Sequence, residues 1–177
     1  KPATINPKVT ETITVTAPNG IVIEGKSPVV AAAEDVEVAA VIAEVTKGAT
    51  TESADEDASA WYFDGNVFDI TQGETANELL YSKNEALSAS QSTGGLVFYA
   101  DGIVAAYSDS EEVWNWGYWY VDVVDDVTYL ALEDQEDTTV FAVDEREDEA
   151  GNKFIVMITF LEDGSAVGFQ VTESSVF

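Results

Sequence analysis

Five aromatic residues fall within seven positions of this chain: Trp114, Trp116, Tyr118, Trp119 and Tyr120. An extended strand sends successive side chains to opposite faces, so Trp114, Trp116, Tyr118 and Tyr120 share one face and Trp119 takes the other. An exposed strip of this kind stacks on sugar rings or forms a hot spot for a protein partner. A buried one fills a core. Four aromatics on one face crowd a narrow interior. Trp114, Trp116, Tyr118 and Tyr120 are therefore the candidate ligand contacts, with a polysaccharide or a surface protein as the expected partner and carbohydrate as the favoured class.

The second constellation is acidic. Asp122, Asp125, Asp126, Glu133 and Asp134 lie in one stretch, and further clusters stand at residues 55–57, 109–112, 136–137 and 144–149. Calcium takes about six to eight oxygen ligands, commonly carboxylates and carbonyls around one loop. If loops at one end of a barrel gather them, Asp122, Asp125, Asp126, Glu133 and Asp134 are the candidate metal ligands and calcium the candidate cofactor. None has EF-hand spacing, and the bland alternative is a set of solvated turns on an acidic surface. Carboxylate pairs at glycosidase separation are inevitable among 34 acidic residues, so they carry no signal.

Composition removes most other chemistry. The 177 residues include no His and no Cys, which excludes Ser-His-Asp and Cys-His catalysis, thiol redox chemistry and the usual zinc, haem and iron–sulfur ligands. The expectation is a non-enzyme. With 7 basic residues against 34 acidic ones and a formal net charge of −27, nucleic acid and anionic membrane surfaces are not expected partners, because both select for Lys and Arg. No apolar run reaches the ~18 residues of a membrane-spanning helix. The acidic excess favours an extracellular or cell-surface setting, where salt screens self-repulsion.

The elements that must position these residues read as short strands. Residues 10–16 alternate Thr with Glu, Ile and Val, and Asn19-Gly20 is a hairpin signal leading to a strand at 21–24. Residues 27–48 mix a helix start at Ser27-Pro28 with β-branched residues, and a strand at 36–45 is the expectation. Residues 49–60 read as an acidic linker, dividing a β-rich N-terminal segment (1–48) from a domain at 61–177. There, Asp64-Gly65 predicts a tight hairpin between strands at 61–63 and 67–70, and residues 75–90 are the best helix candidate, the alternative being a loop with one strand. Strands are expected at 96–100, 103–107, 116–124, 127–132, 138–143, 154–161 and 166–171. Turns at Asp101-Gly102, Gly151-Asn152 and Asp163-Gly164 make these an antiparallel meander, a barrel or sandwich.

Residues 96–171 resemble the C-terminal half of bacterial secreted lipocalin-like domains. The matching features are an apolar strand with Leu96 and Phe98, Asp101-Gly102, a strand with Val104, and then Gly117-Tyr-Trp119-Tyr-Val121. The resemblance extends to Trp61 as a counterpart of the family's opening Trp. It implies an up-and-down β-barrel with Trp119 packed in the core at the barrel end, and a non-enzymatic binding role. The whole reads as an all-β, lipocalin-like barrel or sandwich with a β-rich N-terminal addition, serving as a secreted or surface binding module. The alternative is a subunit of an extracellular filament or surface layer, self-assembled by exchange of the N-terminal strand within residues 1–18.

Overall fold

The computed structural model describes residues 5–8, 10–34, 58–70, 93–99, 101–108, 113–147, 149–162 and 166–173. They form β1 (Thr12–Thr16), β2 (Val22–Lys26), α1 (Pro28–Glu34), β3 (Ala58–Ile70), β4 (Thr93–Tyr99), β5 (Ile103–Ser108), β6 (Val113–Val124), β7 (Val127–Glu133), β8 (Thr138–Glu147), β9 (Lys153–Phe160) and β10 (Ala166–Glu173). All the strand pairs are antiparallel. The all-β class follows from the sequence pattern: β-branched and aromatic residues in runs cut by Asp, Asn and Gly.

The strands make one sheet in the order β1-β2-β6-β5-β4-β3-β10-β9-β8-β7, with β6 also paired to β7. Ladders thus run from β6 through β5, β4, β3, β10, β9 and β8 to β7, and the β6–β7 ladder leads back to β6. The sheet as a whole stays open, because β1 and β2 branch from β6 and leave β1 at an edge. Strand β6 accommodates this by changing partners along its length. Residues 113–118 pair with β5, residues 118–124 pair with β7, and Val121 also meets Lys26 of β2. Gly117 sits at the changeover. A Cβ there would lie 2.2 Å from the Glu133 carbonyl oxygen, so only glycine lets the backbones approach this closely.

Two apolar layers follow from strand alternation. One joins Leu96, Phe98, Val104, Trp119, Val121, Leu130, Val143 and Met157 with Ala31 of α1. The other, on the opposite side of β6–β9, joins Tyr120, Tyr129, Ala131, Val140, Ala142, Val156 and Ile158 with Ala17 and Ile23 of the N-terminal hairpin. The hairpin is thus the cover of a sheet face that water would otherwise reach. Helix α1 starts at Ser27-Pro28, where Pro takes the first helical position and the Ser27 hydroxyl accepts from Val30 N–H at 3.4 Å.

Several expectations change. The Asp64-Gly65 hairpin does not form: β3 runs unbroken through it for 13 residues. Residues on both sides of the dipeptide find long-range partners, Ala58–Asp64 on β4 and the span to Ile70 on β10. The ladder to β10 shifts register between Phe169 and Val171, facing Val67 and Phe63, so Asp64, Gly65 and Asn66 are absorbed as a bulge. The end of the expected linker, residues 58–60, belongs to β3. The strand expected at 36–45, the helix at 75–90 and the Asp163-Gly164 turn lie outside the described residues.

Candidate functional site

Strand β6 carries the aromatic strip, and alternation along it works as the sequence implies. Trp119 faces the interior layer, with 1% of its surface exposed. Its indole N–H donates to the Tyr99 carbonyl at 2.9 Å, and its ring meets Phe98 edge-on with centroids 5.3 Å apart. It is core, as expected. On the other face, Tyr120 is fully buried, while Trp116 and Tyr118 are half-buried. Trp114 lies in β6 opposite Tyr107 of β5.

The burial of Tyr120 has a local cause. Gly25 of β2 lies so close above it that a Cβ at Gly25 would stand 2.9 Å from Tyr120 Cβ and 3.2 Å from Ile13 Cγ1. The backbone of the N-terminal hairpin therefore rests directly on Tyr120 at the root of its side chain. Tyr118 is covered differently: the Lys8 ammonium stands 4.4 Å from its ring centroid, a cation–π contact. Trp116 packs on Tyr99 at a centroid distance of 6.2 Å and borders Ile5.

Lys8 is the residue that sequence reasoning missed. Its ammonium donates to Glu133 Oε1 at 2.5 Å, and the Tyr120 hydroxyl approaches the same oxygen at 3.4 Å. Burial acts against the Lys8 charge, but the hydrogen bond to Glu133 and the neighbouring anionic groups outweigh it and raise its pKa. Burial first, and the Glu133 carboxylate next, push the Tyr120 phenol up to about 12. The available signal was thin: Lys8 is one of only 7 basic residues, and nothing local ties it to a partner 125 positions away.

The five candidate metal ligands are not gathered. Asp125 and Asp126 form the two-residue turn between β6 and β7, both with positive φ (51° and 64°). Asp122 accepts from the Glu24 and Val123 N–H groups, each at 2.8 Å, tying β2 to β6. Glu133 ends β7 and Asp134 follows it; Glu133 is seven residues on from Asp126, which at ~3.3 Å per residue is roughly 20 Å from the turn, and four residues on from Tyr129, the partner of Asp122, roughly 13 Å. Asp134 accepts from the N–H groups of Glu136 and Asp137, whose hydrogen bonds lower its pKa. Among the described residues no group of three or more acidic side chains is arranged to hold a metal ion.

What the site offers chemically is a half-open aromatic surface at Trp116 and Tyr118, flanked by one lysine. No helix among the described residues is long and apolar enough to cross a membrane. No family model, no curated protein and no solved structure matches the chain.

Proposed function

We propose that the protein is a non-enzymatic binding domain acting outside the cell or at its surface, built on a lipocalin-like β-barrel, with carbohydrate as its ligand class. The observation that carries this reading is the pair Trp116 and Tyr118. Both keep partial exposure on a sheet face whose next aromatic, Tyr120, is sealed. Aromatic faces two residues apart on one strand suit stacking on successive sugar rings. Lys8 occupies one side of Tyr118, which makes Trp116 the main platform, and burial beneath the N-terminal hairpin takes Tyr120 out of the contact set. The run of ladders from β6 back to β6 supports the barrel. The net charge of −27 supports a saline, extracellular setting.

Retardation in gels cast with soluble polysaccharides tests the binding. Trp116→Ala should weaken retardation roughly tenfold, as the loss of one stacking contact implies. Tyr120→Phe should leave it unchanged. If Trp116→Ala and Tyr118→Ala both remain folded and migrate like the wild type, the carbohydrate reading is wrong.

A second reading is favoured by a separate observation, the open edge of β1. In this reading the chain is a subunit of an extracellular assembly joined through its N-terminal strand. Because β1 is already paired with β2 in its own chain, a neighbour is added to its edge more readily than β1 is exchanged.

A further inference from the structure

The backbone of β1 has a direction that its pairing with β2 leaves unused. In the β1–β2 ladder, Thr12, Ile13, Thr14, Val15 and Thr16 face Lys26, Gly25, Glu24, Ile23 and Val22. The flanking hydrogen bonds run from Ala17 N–H to the Ile21 carbonyl at 2.8 Å and from Ser27 N–H to the Glu11 carbonyl at 2.9 Å. In an antiparallel pair, hydrogen-bonded and non-hydrogen-bonded positions alternate. The odd-numbered residues of β1 therefore turn their N–H and C=O groups toward β2. Thr12, Thr14 and Thr16 turn theirs to the other side, where no strand stands among the described residues.

This edge lacks the protections that sheet edges ordinarily carry. It has no charge, no Pro and no bulge across its five residues. It is also self-complementary: Thr-Ile-Thr-Val-Thr reads the same in kind from either end. About a two-fold axis at Thr14, Thr14 meets Thr14, Thr12 meets Thr16 and Ile13 meets Val15. That register is the one in which all three outward-facing threonines exchange both backbone bonds. It also places exposed Thr side chains opposite one another on one face and the half-buried Ile and Val on the other. A symmetric dimer needs such a self-matching patch.

We infer that β1 pairs antiparallel with β1 of a second copy of this chain about a two-fold axis at Thr14, joining two sheets edge to edge. The inference rests on the assembly reading and gives it a partner and a register. Such pairing closes on itself and yields a dimer rather than a filament. Five residues bury far less than the ~1,200 Å² of a stable interface, so the dimer is weak. Each chain carries a net charge of −27, so dimerisation strengthens as salt screens the repulsion.

The chain has no Cys, so single introduced thiols report the register. Two Cα atoms in a directly opposed pair, ~5.5 Å apart, lie within disulfide range. Thr14→Cys should cross-link to a dimer under mild oxidation. Thr12→Cys alone should not, but should cross-link when mixed with Thr16→Cys. Thr14→Pro removes an outward N–H without touching the β2 ladder and should weaken the dimer roughly tenfold in sedimentation velocity at high salt. Circular dichroism should report the wild-type fold for each variant.

Equal cross-linking by Thr14→Cys and by the remote Asn115→Cys overturns the register. Wild-type self-association that persists undiminished in Thr14→Pro overturns the β1 interface but leaves the assembly reading standing. A wild type that stays monomeric at every concentration and salt overturns both.

Discussion

At the scale of single residues, Tyr120 and Lys8 decide how the aromatic strip is presented. Tyr120 keeps its proton to about 12 against an ordinary value of 10.0, and Tyr129 is raised as well, by burial and then by Asp125. The unfolded chain loses these protons first, so the stability they represent is complete below pH 10 and declines as pH rises toward 12. Lys8, held above its ordinary value, adds a contribution lost in the same direction. The urea midpoint of the wild type should fall through that window. In Tyr120→Phe the fall should be shallower, with Tyr129 and Lys8 supplying the remainder. Parallel curves for the two proteins would show that Tyr120 ionises without cost to the fold.

Elements show what a sequence pattern reports and where it stops. Asp101-Gly102 and Asp64-Gly65 are the same dipeptide with different outcomes. The first turns the chain between β4 and β5, with Gly102 at φ 94°; the second is carried through β3 because β4 and β10 both claim the residues around it. A dipeptide states a local preference, and long-range ladders override it. The strip was legible in the same partial way. Alternation places Trp119 opposite Trp116, Tyr118 and Tyr120, but nothing local shows that Gly25 and Lys8 lie over that face. The Asp125-Asp126 turn is a further case, a pair read for its charge that serves instead as a hairpin loop. Both residues hold positive φ, which costs an L-residue about 1 kcal/mol or more and suits an Asn-Gly pair better. The double substitution Asp125→Asn with Asp126→Gly should raise stability by about 0.5–1 kcal/mol after the extra chain entropy of glycine. Unchanged or lower stability in chemical denaturation would mean that the aspartates are held there by something other than the turn.

For the molecule as a whole, charge is the dominant variable. The net charge of −27 is relieved among the described residues by a few ion pairs, Lys8 with Glu133 and Glu11, and Lys26 with Glu34. Raising salt from about 0.1 M to 1 M shortens the screening length from ~10 Å to ~3 Å. The melting temperature should therefore climb with sodium chloride. Calcium and magnesium should act alike at matched ionic strength, since Asp122, Asp125 and Asp126 stand apart from Glu133 and Asp134. A rise specific to calcium would contradict the picture of a screened acidic surface.

The N-terminal hairpin also has a consequence for synthesis. Its contacts and those of the segment leading into it join Glu24 to Asp122 and Lys8 to Glu133, 98 and 125 positions apart. A ribosome releases β1 and β2 before β6 and β7, yet the face they cover exists only after β6 and β7 have emerged. The hairpin can close early through its own turn, but Ile13, Val15 and Ile23 must then wait, uncovered, while the intervening chain up to β6 and β7 is translated. The hairpin is thus made well before the strands it covers and finds its place late, and in that interval its apolar side is open to other nascent chains.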